Sequence, residues 1–564
     1  MFPKNCTLTT GFALILLVAF ASPSVAEQSP QHPAAQVASE LDRLLSPRFP
    51  ADGPGAAVVL VKDGRVIFRK GYGMANLELK TPMQPDMVFE IGSITKQFTS
   101  TAILMLVEQG RVSLDDDLHK YLPDYPDKGA KISIENLLTH TSGIKSYTSD
   151  LKWRSMWRQD MTVQQIIDIT KDDALEFPPG TKWKYDNTGY ILLGAIIEKV
   201  SGLSYADYVR KNIFEPLGMK HSYYGSNSAV IPGRASGYSK DGGSWVNATY
   251  LSMTQPYAAG SLMSSVDDLA IWDAAVSAGK LLSKASWDHA FTPYKLANGD
   301  DTHYGFGWSI DAYDGHSIVR HNGGIFGYVS EVARLPNDHV YVALLTNSDG
   351  HNFDTGFVAT ELAAVAIGDP YREPVQVKLD PKEFDAYTGV YRNNDQTLGT
   401  VKREGDRLFA QRAGLPRLEM FAYSDHEFFF KDSFVRLAFE KDASGNVAAL
   451  VISRPNGAKE RAMRTNEPQP SVPVEIKVPV GVLRRYVGDY QLAPGFVLTV
   501  TLEGEQLMSQ ATGQQKVTIF PTSDSEFFLK VVNAQISFIS DASGNVEKLI
   551  LHQGGRDMSG PKVK

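Results

Sequence analysis

The stretch Phe89-Glu-Ile-Gly-Ser93-Ile-Thr-Lys96 opens an apolar-periodic run that continues to Gln109, with Ile94, Phe98, Ala102 and Met105 near one face and Gly110 as a stop. The pattern predicts a helix over 93–109. A serine and a lysine three residues apart at the start of a helix share one face. The helix N-terminus adds unpaired N–H groups and a positive dipole beside the serine. A serine hydroxyl is a weak nucleophile until a base stands within hydrogen-bond reach, and a desolvated lysine is able to be that base. Spacing alone is a weak signal. Ser-x-x-Lys recurs at Ser142, Ser149, Ser277 and Ser559, where it reads as a polar helix face or a turn.

The surroundings of this stretch read as one large α+β domain. Upstream, Ala56–Lys62 and Arg65–Arg69 flank Asp63-Gly64, a strong signal for a tight hairpin. Downstream, 188–200 (TGYILLGAIIEKV) is apolar almost all round and predicts a buried helix ending near Gly202. Strand-like runs follow at Ser317–Arg320 and Val340–Leu345. Strands at both ends with helices between predict an antiparallel sheet flanked by helices, closing near residue 367.

Beyond that point the texture changes. Pro370, Pro374 and Pro381 punctuate one linker, and Pro468, Pro470, Pro473 and Pro479 stiffen another. The segments that follow are an internal repeat. Tyr387-Thr-Gly-Val-Tyr391 matches Tyr486-Val-Gly-Asp-Tyr490, and Asp442-Ala-Ser-Gly-Asn-Val447 matches Asp541-Ala-Ser-Gly-Asn-Val546, each at an offset of 99 residues. Short alternating strands with Asp/Gly turns make each copy a small antiparallel β-barrel or sandwich. The expected boundaries are a leader over 1–26, a first domain over 27–367, and two β-barrel repeats over 382–466 and 481–564.

Composition narrows the chemistry. The 564 residues are 43% hydrophobic and 21% charged, enough to bury a sizeable core. Lys+Arg number 56 against Asp+Glu 64, a net charge of −8, which disfavours a general affinity for nucleic acid. Cys6 is the sole cysteine, which removes disulfide scaffolds, thiolate zinc sites and cysteine nucleophiles. One positive charge, an apolar run over 12–21 and small residues at Ser24 and Ala26 read as a secretory signal peptide cleaved after Ala26. Cleavage there leaves 55 positive and 64 negative side chains and no cysteine. The expected product is periplasmic or secreted, with no stable membrane anchor; the reading leaves its oligomeric state open. There is no Gly-x-Ser-x-Gly, no His-Glu-x-x-His, no Walker loop and no EF-hand loop, so neither a metal nor another cofactor is expected.

Five segments occur in a fixed order: IGSITKQFTS (91–100), LLTHTSG (137–143), YDNTGY (185–190), IFEPLGM (213–219) and RHNGG (320–324). In this the chain resembles the penicillin-recognising serine hydrolases: class C β-lactamases, D-aminopeptidases, penicillin-binding-protein-like peptidases and β-lactamase-like esterases. The resemblance covers about residues 50–350 and implies a β-lactamase/DD-peptidase-like fold. It implies that Ser93 is the acylated nucleophile, Lys96 its activating base, Tyr185 a proton shuttle, and Asn187 an orienting group for Lys96 or the substrate amide. It places the oxyanion hole at the N–H groups of Ser93 and Gly324. His140, in Leu-Thr-His-Thr-Ser-Gly, is expected to be structural.

The third element, His321-Asn322-Gly323, stands where β-lactamases have Lys-Thr-Gly or Lys-Ser-Gly, and neither triplet occurs in this chain. An imidazole is a weaker clamp for a carboxylate than a permanent ammonium, and its hold is expected to fade as pH rises through the imidazole pKa. The resemblance then implies an enzyme that cleaves amide or ester bonds of small substrates. An aminopeptidase or amidase on short peptides, D-residues included, comes first. A carboxylesterase follows, and a class C-like β-lactamase is third. A penicillin- or cell-wall-binding protein without turnover is the reading from another class. D-aminopeptidases also look like a catalytic domain followed by two barrels, which implies that the repeats restrict access to the site.

Overall fold

The computed structural model describes residues 34–467 except 413, 414 and 416, and residues 475–563 except 494–495, 513–515, 531, 533, 542 and 554–555. The leader, Cys6 and most of the second proline-rich linker lie outside the described residues. The first domain is built on a six-stranded antiparallel sheet. Its strands are β1 (Ala56–Lys62), β2 (Arg65–Tyr72), β3 (Ser309–Tyr313), β4 (His316–Ile325), β5 (Tyr328–Leu335) and β6 (Val340–Thr346), in the order β3-β4-β5-β6-β1-β2. The β1–β2 hairpin turns on Asp63 and Gly64 with φ of 51° and 71° and pairs Lys62 with Arg65, the geometry a two-residue primed turn requires.

Both faces of the sheet are covered, which is why β1 up to Lys62 and β6 up to Thr346 are runs of apolar residues rather than alternating. On one face α1 (Ala34–Leu45) and a C-terminal helix, Thr355–Ile367, pack on Val58, Leu60, Val342 and Leu344. On the other lies a larger helical layer. Its members include α2 (Thr95–Glu108), α3 (Leu151–Met156), α4 (Asn187–Ser201) and α5 (Val266–Ser277), and its core joins Phe98, Leu193, Trp272 and Ala343. The helix expected over 93–109 begins later than its apolar pattern suggests. Gly92–Ile94 form a separate 3-10 turn, and the α-helical bonds start at Thr95. The helix expected over 188–200 spans Asn187–Ser201. Asp186 caps it through the Thr188 and Gly189 N–H groups at 2.7 and 3.0 Å, and Gly202 closes it at φ 77°.

Two eight-stranded antiparallel units follow. The first runs from Gly389 to Thr465 and closes as a barrel. The second runs from Gly488 to Pro561, and its ends meet through a Tyr490–Lys562 bridge and the Val563 N–H donating to the Asp489 carbonyl at 2.8 Å. The repeat persists in three dimensions. Tyr391 and Tyr490 donate to the carbonyls of Tyr387 and Tyr486 at 2.7 and 2.8 Å, while Tyr387 and Tyr486 stack on Phe439 and Phe538 at 4.4 and 4.3 Å. The first barrel is docked on the first domain's sheet edge. Phe434 packs on Tyr313, Phe357 and Tyr371, and Asn456 Nδ2 donates to Asp311 Oδ1 at 3.1 Å. In the second barrel the strand Phe496–Glu503 lies against α3.

Candidate active site

Ser93 sits in the 3-10 turn that leads into α2, pressed against the end of β4. Two glycines make this possible. Gly92 has φ 50°, and a Cβ there would stand 2.9 Å from the Gly324 nitrogen; a Cβ on Gly323 would meet the Ile91 carbonyl oxygen at 1.9 Å. Only bare backbones can approach so closely. The Gly324 nitrogen is thereby brought beside the serine turn, and both residues line one cleft of about 100 Å³.

Lys96, one turn along, is completely buried. Its Nζ lies 3.1 Å from Ser93 Oγ, 2.9 Å from Asn187 Oδ1 and 2.8 Å from the Ala259 carbonyl. Burial, opposed in part by Asp186, holds the ammonium pKa well below the ordinary lysine range. A neutral amine has two N–H groups. Asn187 Oδ1 and the Ala259 oxygen can only accept, so they take both and leave the lone pair facing the serine hydroxyl. That is the arrangement of a base poised on a nucleophile. Asn187 is fixed in turn, with its Nδ2 donating to Thr148 Oγ1 and its backbone N–H to Ser146 Oγ, each at 3.1 Å. Of the two partners left open for Asn187, the structure pairs it with Lys96.

The Tyr185 ring stands 4.7 Å from Lys96 Nζ. Ser93 draws the phenol pKa down, but burial outweighs this and raises it, so the hydroxyl keeps its proton. Its oxygen is buried, and no hydrogen bond to it forms among the described residues. His140 packs 4.3 Å from Tyr185 and 4.8 Å from Tyr304, accepting the Asp186 N–H on Nδ1 at 3.1 Å. It packs directly on the tyrosine ring.

His321 departs from the sequence expectation. Its ring is only 2% exposed. Nδ1 lies 2.6 Å from the Asn322 carbonyl and Nε2 lies 2.8 Å from the Tyr304 hydroxyl. The carbonyl can only accept, so Nδ1 carries the proton and Nε2 accepts from Tyr304. Burial and the nearby Lys96 lower the pKa to about 3. The pH-dependent imidazolium clamp is therefore not the arrangement present. His321 is a neutral strut with both nitrogens engaged, and Tyr304, which lies outside all five motifs, is its partner.

Tyr147, Trp153 and Phe326 line the cleft, and none of its lining residues is charged. The Trp153 indole N–H is held by Gln255 Oε1 at 2.7 Å, and the Phe326 ring stands 5.0 Å from Trp157. Neither this aromatic wall nor the Ala259 carbonyl was legible beforehand. The wall is assembled from three separated segments, and a backbone oxygen has no signature in a sequence.

A family model described as Beta-lactamase matches residues 41–367, and a domain of unknown function, DUF3471, matches twice, over 373–465 and 472–562. The chain is 32% identical over 437 residues to penicillin-binding protein 4* of Bacillus subtilis (strain 168), covering 72% of this chain and 94% of that protein. It is 28% identical over 360 residues to a D-aminopeptidase of Gluconobacter oxydans (strain 621H), covering 63% of this chain and 65% of that protein. The fold is also similar to the crystal structure of D-amino acid amidase from Ochrobactrum anthropi SV3 in complex with D-phenylalanine, with a TM-score of 0.50 and 26% identity over 59% of this chain and 97% of that one. With the family model spanning more than half of its length, the chain belongs to the Beta-lactamase family.

Proposed function

We propose that the protein is an exported serine hydrolase that cleaves amide bonds of short peptides or amino-acid amides, D-residues included. The observation that carries this is the pairing of Ser93 Oγ with a fully buried Lys96 amine whose two other partners can only accept. In the first half-reaction Lys96 takes the Ser93 proton as Oγ attacks the carbonyl. The N–H groups of Ser93 and Gly324 receive the oxyanion, where removal of one such donor costs about 2.7–4 kcal/mol in known enzymes. The Tyr185 hydroxyl passes a proton to the departing amine and is refilled from Lys96. Water then attacks the ester on Ser93, giving up its proton along the same route, and the acid is released. Similarity to a D-aminopeptidase and a D-amino acid amidase supports the amide reading.

The uncharged aromatic wall of the cleft favours a second reading, a carboxylesterase acting on neutral acyl groups. A β-lactamase ranks below both, because His321 has no N–H to spare for a ring carboxylate. A panel of a D-alanine 4-nitroanilide, a short-chain nitrophenyl ester and nitrocefin separates the three. Anilide turnover lost in Ser93→Ala supports the amidase. Ester turnover alone supports the esterase, and nitrocefin turnover the β-lactamase. An acyl adduct that never clears identifies a binder without turnover.

A further inference from the structure

Past Leu251 and Phe326, which line both spaces, the cleft adjoins a second cavity of about 330 Å³. Its lining holds two charged side chains, Glu90 and Arg234. Glu90 ends the short strand Phe89–Glu90, three residues before the nucleophile. Arg234 Nη2 donates to Glu90 Oε1 at 2.5 Å and Nη1 to the Ser226 carbonyl at 3.0 Å. The two partners are not equally placed: the Arg234 side chain is 29% exposed and that of Glu90 only 7%. The charge presented to the cavity is therefore the cation, and a guanidinium with five N–H groups retains donors after those two bonds.

The position of the cavity relative to the chemistry is also defined. Lys96, Tyr185, Asn187 and His321 are absent from its lining. Asn187, hydrogen-bonded to the Lys96 that with Tyr185 is proposed to deliver a proton to the departing amine, lines the cleft but not the cavity, which continues instead past Phe326, two residues along the chain from the oxyanion donor Gly324. We infer that it is an acyl-side subsite for a carboxylate, held by Arg234 and reached by substrates whose acyl group bears an acidic side chain. The inference rests on the serine-hydrolase reading above.

The surroundings carry both signs. Arg158 lies over the ring of Tyr250, a lining residue, at 5.9 Å. The nearby acid Glu78 is occupied by Asn247 Nδ2 at 2.8 Å and the Tyr238 hydroxyl at 2.6 Å. Burial raises the Glu90 carboxyl to about 7 against the pull of Arg234, so near neutral pH the acid competes weakly for the guanidinium.

The test compares Glu and Gln 4-nitroanilides, D and L, which differ by one charge at nearly equal shape. Each is read as kcat/KM where it is cleaved, and as inhibition of 4-nitrophenyl acetate hydrolysis where it is not. The full-length enzyme is expected to favour Glu over Gln about tenfold or more, which corresponds to about 1.4 kcal/mol. Arg234→Gln should abolish that ratio and Arg234→Lys should keep part of it. Since Arg234→Gln leaves a buried carboxyl unpaired, the double variant Glu90→Gln/Arg234→Gln provides the same charge removal with no orphaned acid. An unchanged Glu/Gln ratio in either folded variant overturns the subsite, as does a wild-type preference for Gln. Absence of any Ser93-dependent ester or anilide turnover instead overturns the hydrolase reading, and the subsite falls with it.

Discussion

At the scale of single residues, groups that lie within a few ångströms of one another are expected to do different work. Ser93→Ala is expected to abolish turnover with little change in Tm, because one hydroxyl is lost and nothing large is removed. Lys96→Ala and Tyr185→Phe should each lower kcat/KM by about two to four orders of magnitude, the scale of acid–base groups. The pH dependence follows from burial. Lys96 acts as a base only when neutral, and its pKa lies well below the lysine range, so activity should rise with pH and level off far below pH 10. Titration of His321 bears on stability. Its folded pKa of about 3 is below the ordinary value of 6.5, so the unfolded chain takes up the proton first. Stability from this group is full above about pH 6.5 and is lost as pH falls toward 3. Denaturant midpoints measured between pH 7 and 4 should fall less steeply in His321→Gln; equal slopes would remove His321 from that role. The serine and lysine were legible from sequence because three residues of helix bring them together. The state of His321 was not, because it depends on Tyr304, which lies outside the motif, and on burial that a local pattern does not report.

At the scale of elements, the site depends on how closely the serine turn and β4 approach. A methyl on Gly323 would stand 1.9 Å from the Ile91 oxygen, a backbone atom that cannot swing aside. Gly323→Ala should push the strand off the turn, lower Tm, and reduce kcat/KM for neutral and charged substrates alike, since the Gly324 N–H moves with the strand. A drop confined to carboxylate-bearing substrates would instead make Gly323 a recognition residue. The hairpin at Asp63-Gly64 and the caps of α4 could be read in advance because turn and cap chemistry is local. The apolar pattern starts α2 at Ser93, two residues before the helix begins at Thr95. Apolar periodicity runs through the 3-10 turn without a break, and what separates turn from helix there is the positive φ of Gly92 and its packing on β4.

At the scale of the whole molecule, the two barrels meet the first domain in different places. The first is anchored through Phe434 and Asn456 at the sheet edge. The second touches α3, the helix that carries Trp153 into the cleft wall. Truncation after residue 467 should therefore loosen that wall and widen acceptance of bulky acyl groups. Truncation before Pro370 should in addition lower Tm by exposing Tyr313 and Phe357. A truncated, folded enzyme with the same relative kcat/KM across small and large substrates would show that the barrels do not shape access. The 99-residue repeat and its β texture were plain in the sequence, because paired tyrosines and Asp/Gly turns recur in register. The docking surfaces were not, since each is made from side chains far apart along the chain.

The proposed mechanism turns on an acyl-enzyme on Ser93 formed with Lys96 as base. Rapid-quench intact mass spectrometry during turnover of a short nitrophenyl ester, followed by peptide mapping, tests it most directly. The expected result is a transient mass increase of one acyl group on the peptide containing Ser93, absent in Ser93→Ala and slowed by orders of magnitude in Lys96→Ala. Turnover at the wild-type rate in Ser93→Ala, or an adduct that maps to another residue, would contradict the account.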